Sequence, residues 1–487
     1  MGARLRRGGR APERAAAPER AFRRRDRDGV CGDIDVCPYD LNDDVDGDGV
    51  CGDIDNCDSA PNPDQSDTDG DCTGDACDNC LNIPNPDQAN LDKDMLGDAC
   101  DDICSAPVAL MERQLDASVR DVGKDVELGP QGSIYITAET EGNIYGVNKG
   151  SSDAVIVKYN SDGNIIWSRQ FGSTNTELVE DIDVDASGNA YVVGHTWGDI
   201  TITNYGGVDI FAAKYDTNGN QKWVKQINAS SWDTGYGIAA DNSGNVFITG
   251  YTQGYLGGNL QGHQDIYVIK FDTNGNQLWA RQLGTSSKDM MLSADVDASG
   301  NVYLAGFTEG SIGGSNKGDS DLLVVKYSAV GTLQWTSQFG TSAGETATAI
   351  AVDPSGNSYV TGYSSGNFAG LSNGDQDIIT LKLDTMGNLL WKKQYGSASP
   401  EIGNAISLDP AGNVYVAGTD VILISYDSYG NARFGTLLGN ISLDMAYGVA
   451  ADSAGNAYIT GSSEGYINGQ RNYCDDIFLM KAGGQCQ

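Results

Sequence analysis

From about residue 105 onward, apolar and polar positions alternate with period two in short runs rich in Val, Ile, Tyr and Phe, with Gly and Asn between them. The stretch 236–283 shows the unit: YGIAAD (236–241), an SGN turn, NVFITG (245–250), a long loop, DIYVIKFD (265–272), a TNGN turn and QLWARQL (277–283). This pattern predicts four antiparallel strands joined by turns. The anchor glycine of the first turn recurs at Gly132, Gly188, Gly244, Gly300, Gly356 and Gly412 at intervals of 56 residues, and again at Gly455 after a step of 43. Seven units of four strands predict an all-β fold, a seven-bladed β-propeller.

Closure of the ring follows from register. An aromatic lies 21 residues before each following anchor, at Trp167, Trp223, Trp279, Trp335, Trp391 and Phe434. The same count back from Gly132 reaches Met111, in LMERQLD (110–116), whereas the seventh unit stops after its third strand, DDIFLMK (475–481). The segment before the first unit is therefore expected to supply the missing outer strand and remove the open edges. The same register places Cys104 and Cys486 at one turn and predicts a disulfide between them, with Cys474 left out.

Residues recurring in every unit are expected to be architectural. They include an Asp series (Asp153, Asp209, Asp265, Asp321, Asp377, Asp420, Asp476), expected to cap strand ends, and the Trp series, expected to pack between blades. These anchors, with DASGNVYLAG (297–306) and the Lys of VIKFD, resemble the bacterial β-propeller repeat called SBBP over residues 108–487. That resemblance implies a secreted or surface propeller and implies no catalysis. His195 and His263 belong to no nucleophile motif and are expected to be satisfied loop histidines, so no enzyme activity is expected. An enzyme built on the propeller, such as a polysaccharide lyase or esterase, would need His, Tyr, Arg or carboxylates clustered on one face. The long loops after each second strand share one rim and carry Tyr145, Trp197, Tyr205, Tyr255, Phe368 and Tyr466, a composition suited to glycan or protein partners. The unit anchored at Gly412 lacks this loop and keeps only Thr419.

Charge changes the picture before residue 105. Residues 26–104 carry 24 Asp against Arg27 and Lys93, in a chain of net charge −36. Such a segment holds too few large apolar residues to fold by burial. Its carboxylates sit at alternate positions around turns, an oxygen-rich pattern suited to calcium, without the helices of an EF-hand. With DNC, NPDQ (62–65 and 85–88) and GDAC (74–77 and 97–100), the segment resembles thrombospondin type 3 repeats. The resemblance implies calcium as cofactor, held by Asp26, Asp28, Asp33 and Asp35, by Asp44, Asp46, Asp48, Asp53 and Asp55, by Asp67, Asp69, Asp71, Asp75 and Asp78, and by Asn90, Asp92, Asp94, Asp98 and Asp101. Arg24 departs from the first site's pattern, and Asn90 and Met95 from the last. It also implies bridges Cys57–Cys77 and Cys80–Cys100, with Cys37–Cys51 as a shortened analogue and Cys31 without a partner.

Nine of the eleven cysteines lie in this segment, and the chain has two His, so a disulfide framework in an oxidising compartment is expected over zinc sites. Residues 1–25 hold nine Arg and no apolar core of a signal peptide, and are expected to be a disordered leader or a mis-placed start. Residues 26–104 and 105–487 are the expected domains, with no membrane span and no nucleic-acid partner. The sequence thus predicts an extracellular, calcium-stabilised spacer joined to a propeller that acts in adhesion or recognition.

Overall fold

The computed structural model describes residues 46, 48–50, 54–58, 60–86, 88, 108–115, 120–204, 207–229, 231–370, 372, 375–438, 444–463, 466–467, 470–471 and 476–483. Contacts divide the chain near residue 100 into two compact units.

In the second unit seven four-stranded antiparallel sheets form the blades. Blades 1 to 5 follow the chain: Asp121–Gly129 to Phe171, Glu177–Val184 to Ile227, Asp233–Ala240 to Leu283, Asp289–Val296 to Phe339 and Glu345–Val352 to Tyr395. Blade 6 runs from Gly403–Leu408 to Ala432–Leu437. Blade 7 takes Met445–Ala451, Asn456–Ser463 and Asp476–Gly483 from the end of the chain and Val108–Leu115 as its outer strand. Met111 pairs with Lys481, as Trp279 pairs with Lys270 and Trp167 with Lys158, so the exchange and its register are as the sequence predicts. Cys104, Cys474 and Cys486 lie outside the described residues.

Burial sits between blades rather than in one central core. Each of seven apolar clusters joins two neighbours; one packs Ile134, Ile136 and Val155 of blade 1 against Tyr458, Ile477 and Leu479 of blade 7, which closes the ring. The repeated residues are the couplings. The indole N–H of Trp167, Trp223, Trp279, Trp335 and Trp391 donates to a turn carbonyl of the next blade, at Thr217, Thr273, Ala329, Thr385 and Ser428, over 3.0 to 3.3 Å. The recurring Lys lies over an aromatic ring of its own blade, from 4.4 Å for Lys326 on Tyr303 to 4.9 Å for Lys481 on Tyr458. The Asp series behaves as caps in five blades, where buried Asp153, Asp209, Asp265, Asp321 and Asp377 accept from the side-chain amide of an outer-strand Gln. Asp420 departs from this role: it is exposed, at φ 57°, in the tight turn that replaces the long loop of blade 6.

Candidate functional sites: the acidic repeats and the axial channel

Among the described residues of the first unit the buried apolar side chains are Cys57 and Cys80, and the chain is held by side-chain hydrogen bonds that repeat at an interval of 23 residues. Gln65 Oε1 accepts from the Asn56 N–H at 2.9 Å, and Gln88 Oε1 from the Asn79 N–H at 2.8 Å. Asn62 Nδ2 donates to Asn56 Oδ1 at 2.6 Å, and Asn85 Nδ2 to Asn79 Oδ1 at 2.7 Å. Asp48 Oδ2 and Asp71 Oδ2 accept from the backbone N–H of Asn62 and Asn85, at 2.7 and 2.6 Å. Cys57 and Cys77 are bonded, with Cα atoms 5.6 Å apart, across 20 residues. Cys80 is also in a disulfide; Cys100 lies outside the described residues.

These networks aim carboxylates inward. Asp46, Asp48 and Asp55 form one group, and Asp67, Asp69 and Asp71 another, each offering oxygens within 4.8 Å of one another. Asp69 Oδ2 is buried without a hydrogen-bond partner, and loss of solvent together with the nearby Asp71 charge raises its pKa. Asp71 is held below the usual carboxylate range by the backbone N–H of Thr73 and Asn85, so it stays ionised. A hard cation that takes oxygen ligands fits both groups: it would relieve the crowding and supply a partner for Asp69 Oδ2. Asp75 does not join the group; its carboxylate accepts from the Thr68 N–H and hydroxyl at 2.6 and 2.8 Å. Asp78 accepts from the Cys80 N–H and from Gln88 Nε2, while its charge is felt at Asp69. Asp26, Asp28, Asp33, Asp35, Asp44, Asp53, Asn90, Asp92, Asp94, Asp98 and Asp101 lie outside the described residues.

The propeller holds a second acidic constellation that the strand pattern does not announce. Its inner strands line an axial cavity of about 320 Å³, with Lys124, Glu180, Tyr236, Leu292, Thr348, Asn404 and Tyr447 forming one ring, a residue from each blade. One residue beyond the ring stand Asp125 and Asp181, and two residues beyond those Glu127, Asp183 and Asp295, all on blades 1, 2 and 4. The Asp oxygens reach across blade boundaries. Ile238 N–H donates to Asp181 Oδ2 at 2.7 Å, Ala240 N–H to Asp183 Oδ2 at 2.5 Å and Val352 N–H to Asp295 Oδ2 at 2.6 Å. Burial pushes Asp181 and Asp183 up to about 6 and, with the nearby Asp183 charge, Asp295 up to about 7. Asp125 and Glu127 are also raised well above the usual carboxylate range, by burial and by repulsion from Asp181 and Asp183 respectively.

At the ring, Lys124 bridges Glu139 at 2.8 Å and Glu180 at 3.4 Å, and the two carboxylates push its pKa up to about 12. His195 stands behind Glu180. It lies on a strand, not in a loop, and burial lowers its pKa to about 4, so it is neutral. Its Nδ1 has no hydrogen bond and faces Glu180 Oε1 at 3.7 Å, which corrects the expectation of a satisfied loop histidine. His263 is an exposed loop residue. From His195 rings lead outward to Trp197, 5.2 Å away, and inward to Tyr236 at 5.9 Å. Trp197 and Tyr255 are exposed on the long loops, whereas Phe368 is a core residue 5% exposed, contrary to its expected place on the rim. Tyr145 is half-buried against the core between blades 7 and 1; Tyr205 and the side chain of Tyr466 lie outside the described residues.

The channel acids were overlooked because each is an isolated departure from the repeat. The available signal was EDIDVDASG (180–188) and KDVELGPQG (124–132) against the Ala and Ser of the other units.

Comparison with known proteins agrees with the ring. The chain is 25% identical over 223 residues to Regulatory protein FlaEY of Caulobacter vibrioides, covering 40% of this chain and 23% of that one. It is 24% identical over 280 residues to an uncharacterized WD repeat-containing protein, L264, of Acanthamoeba polyphaga mimivirus, covering 51% of this chain and 17% of the relative. The matched part is thus less than a quarter of either relative. The crystal structure of RRP9 WD40 repeats superposes with TM-score 0.50 at 10% identity, over 78% of this chain and 99% of that one. Among the described residues no helix is long and apolar enough to cross a membrane. Residues 166–201, 222–258, 334–369, 390–419 and 434–467 match the β-propeller repeat family SBBP, so this seven-bladed ring carries SBBP repeats in five places.

Proposed function

We propose that the chain is an extracellular calcium-binding protein in which calcium-loaded acidic repeats act as a stiffened spacer and the propeller presents its long loops to a glycan or protein at a cell surface. The observation that carries this reading is the convergence of Asp46, Asp48 and Asp55, and again of Asp67, Asp69 and Asp71, within frameworks that repeat bond for bond. Two groups of crowded carboxylates call for a cation to offset their repulsion. The Cys57–Cys77 bridge supports an oxidising compartment. Exposed Trp197, Trp232 and Tyr255 on the propeller support recognition by ring stacking. The protein acts by binding, not by catalysis, and its localisation is outside the cell.

Calcium titrated into the oxidised full-length chain should bind at two or more sites with a change in circular dichroism that chelation reverses. Asp69→Ala should remove one site, weakening it by at least tenfold, and leave the propeller's melting transition in place, because the two units have separate stabilising contacts. Fewer than two bound ions would overturn the reading. A glycan and matrix-protein array probed with and without calcium separates recognition from a bare spacer, which would give no calcium-dependent signal.

A further inference from the structure

The channel carboxylates have a plain structural role, since each aspartate accepts an N–H from the next blade. That role does not require charge. At positions equivalent to Asp181 and Asp183, Ser293 Oγ accepts from Ile350 N–H at 3.3 Å and Ser407 Oγ from Ala451 N–H at 3.1 Å. Other blades carry Ala349, Ala351 and Ala405 there, so the ring also closes without any such bond. Acid is therefore in excess of what stapling needs, and it is confined to one arc.

The arc has a pattern. Asp181 and Asp183, and likewise Asp125 and Glu127, are two residues apart on one strand, so their carboxylates form levels roughly 7 Å apart along the axis. Across from them, blades 5 to 7 present the small side chains of Ala349, Ala351 and Ala405 among the uncharged polar Thr348, Asn404, Ser407 and Tyr447. Among the described residues Lys124 is the only basic one lining the cavity, and it is already committed to Glu139 and Glu180. Among the described residues three carboxylate oxygens come within 4.8 Å only in the acidic repeats, so the channel lacks the closely gathered ligands of a bare metal ion. A second, independent feature is a buried, unbonded nitrogen beside Glu180 of the ring. His195 is 5% exposed, its Nδ1 has no hydrogen bond, and it faces the Glu180 carboxylate across 3.7 Å.

We propose that the axial channel is a binding site for a short aliphatic diamine, which enters beside Glu180 and Tyr236, places one ammonium group at each carboxylate level and passes its methylenes along the uncharged side that carries Ala349, Ala351 and Ala405. An ammonium N–H at the mouth can donate to Glu180 and, with the imidazole proton on Nε2, to His195 Nδ1. The cavity's size, about 320 Å³, suits a small molecule of this kind. This site is separate from the calcium sites and does not depend on them.

The test is calorimetric titration of putrescine into the oxidised full-length chain at saturating calcium and fixed ionic strength, with n-butylamine as the single-ammonium comparator. Saturable one-site binding of putrescine is expected, with butylamine at least tenfold weaker. Asp183→Ser and Asp295→Ser keep a backbone acceptor, as Ser407 does, and should each weaken putrescine at least tenfold. Unsaturable heats, or serine variants that bind like the parent, would overturn the proposal and leave only general attraction to a chain of net charge −36. Should a serine variant fail to fold, the near-isosteric Glu180→Gln takes its place with the same expectation. In parallel, putrescine should raise the propeller's melting temperature in the parent more than butylamine does at equal concentration, and an equal rise with both would count against the site.

Discussion

Asp420 and Val421 sit side by side at φ 57° and 53°, and Ile422 N–H closes on Thr419 O at 3.1 Å. Two left-handed central residues make this the mirror-type turn that normally takes Asn and Gly. The two positions should answer to glycine in opposite directions. Val421 is 2% exposed and packs between blades 6 and 7. Val421→Gly would relieve about 1–2 kcal/mol of backbone strain, but it forfeits about 1.5–3 kcal/mol of apolar burial and adds about 0.5–1 kcal/mol of unfolded-chain entropy. The expected sum is a loss of about 1.5 kcal/mol. At exposed Asp420 there is no burial to lose, so Asp420→Gly should gain about 0.5 kcal/mol. Denaturant melts of the pair check this, and equal effects at both positions would remove the strain argument. Residue roles of this sort were partly legible. The Trp and Lys series could be recognised as architecture because they recur, whereas Asn56, Asn62 and Gln65 were visible only as letters of a motif. Their bonds span nine or six residues around turns whose shape no period announces.

Strands and their partners were the most readable layer, because repetition reduces seven blades to one problem. The pairing of Met111 with Lys481 could be placed by counting, since the unit length fixes which residue must stand opposite. Loops were read less well. Phe368 belongs to a long loop by position, yet its ring is buried beneath Lys392 and its backbone N–H donates to Gln394 Oε1 at 2.8 Å. Composition marked it as a rim aromatic, and only the packing of the outer strand below it decides otherwise. The exchanged strand carries a prediction of its own. A chain lacking residues 108–115 leaves the edge of Asp476–Gly483 unpaired, and such an edge recruits other strands. Light scattering should show this truncation associating at concentrations where the parent is monodisperse, and an added peptide VALMERQL should reverse it. A truncated chain that stays monodisperse with an unchanged melting temperature would mean the strand contributes little to closure.

At the scale of the molecule, the acidic channel was illegible for a physical reason. The strands that carry its members are separated by a full repeat or more, and only the closed ring brings Asp125, Asp181 and Asp295 to one axis. That placement has a cost that pH should reveal. Asp181 and Asp183 titrate at about 6 and Asp295 at about 7, each above the ordinary carboxylate value of 3.8, so between those limits the folded propeller binds more protons than the unfolded chain. Their destabilising effect is complete above the folded pKa values and fades as pH falls through 7 to 6. His195 has the opposite sign. Its folded pKa of about 4 lies below 6.5, so it favours the folded state at neutral pH and gives up that contribution as pH falls below 6.5. Carboxylates therefore act alone between pH 8 and 6.5, and the propeller's melting temperature should rise across that interval by on the order of a few degrees. Below pH 6.5 the rise should flatten as His195 opposes it. The acidic repeats should move the other way at fixed calcium, because protons compete with the ion for the same oxygens. Calorimetric scans at pH 8, 6.5 and 5.5 would resolve the two transitions. Asp295→Ser should shrink the rise between pH 8 and 6.5 while leaving the calcium-dependent transition where it was. A propeller transition that falls steadily from pH 8 to 6.5 would mean that the channel carboxylates titrate as ordinary surface groups, and the charge cost assigned to the axis would have to be withdrawn.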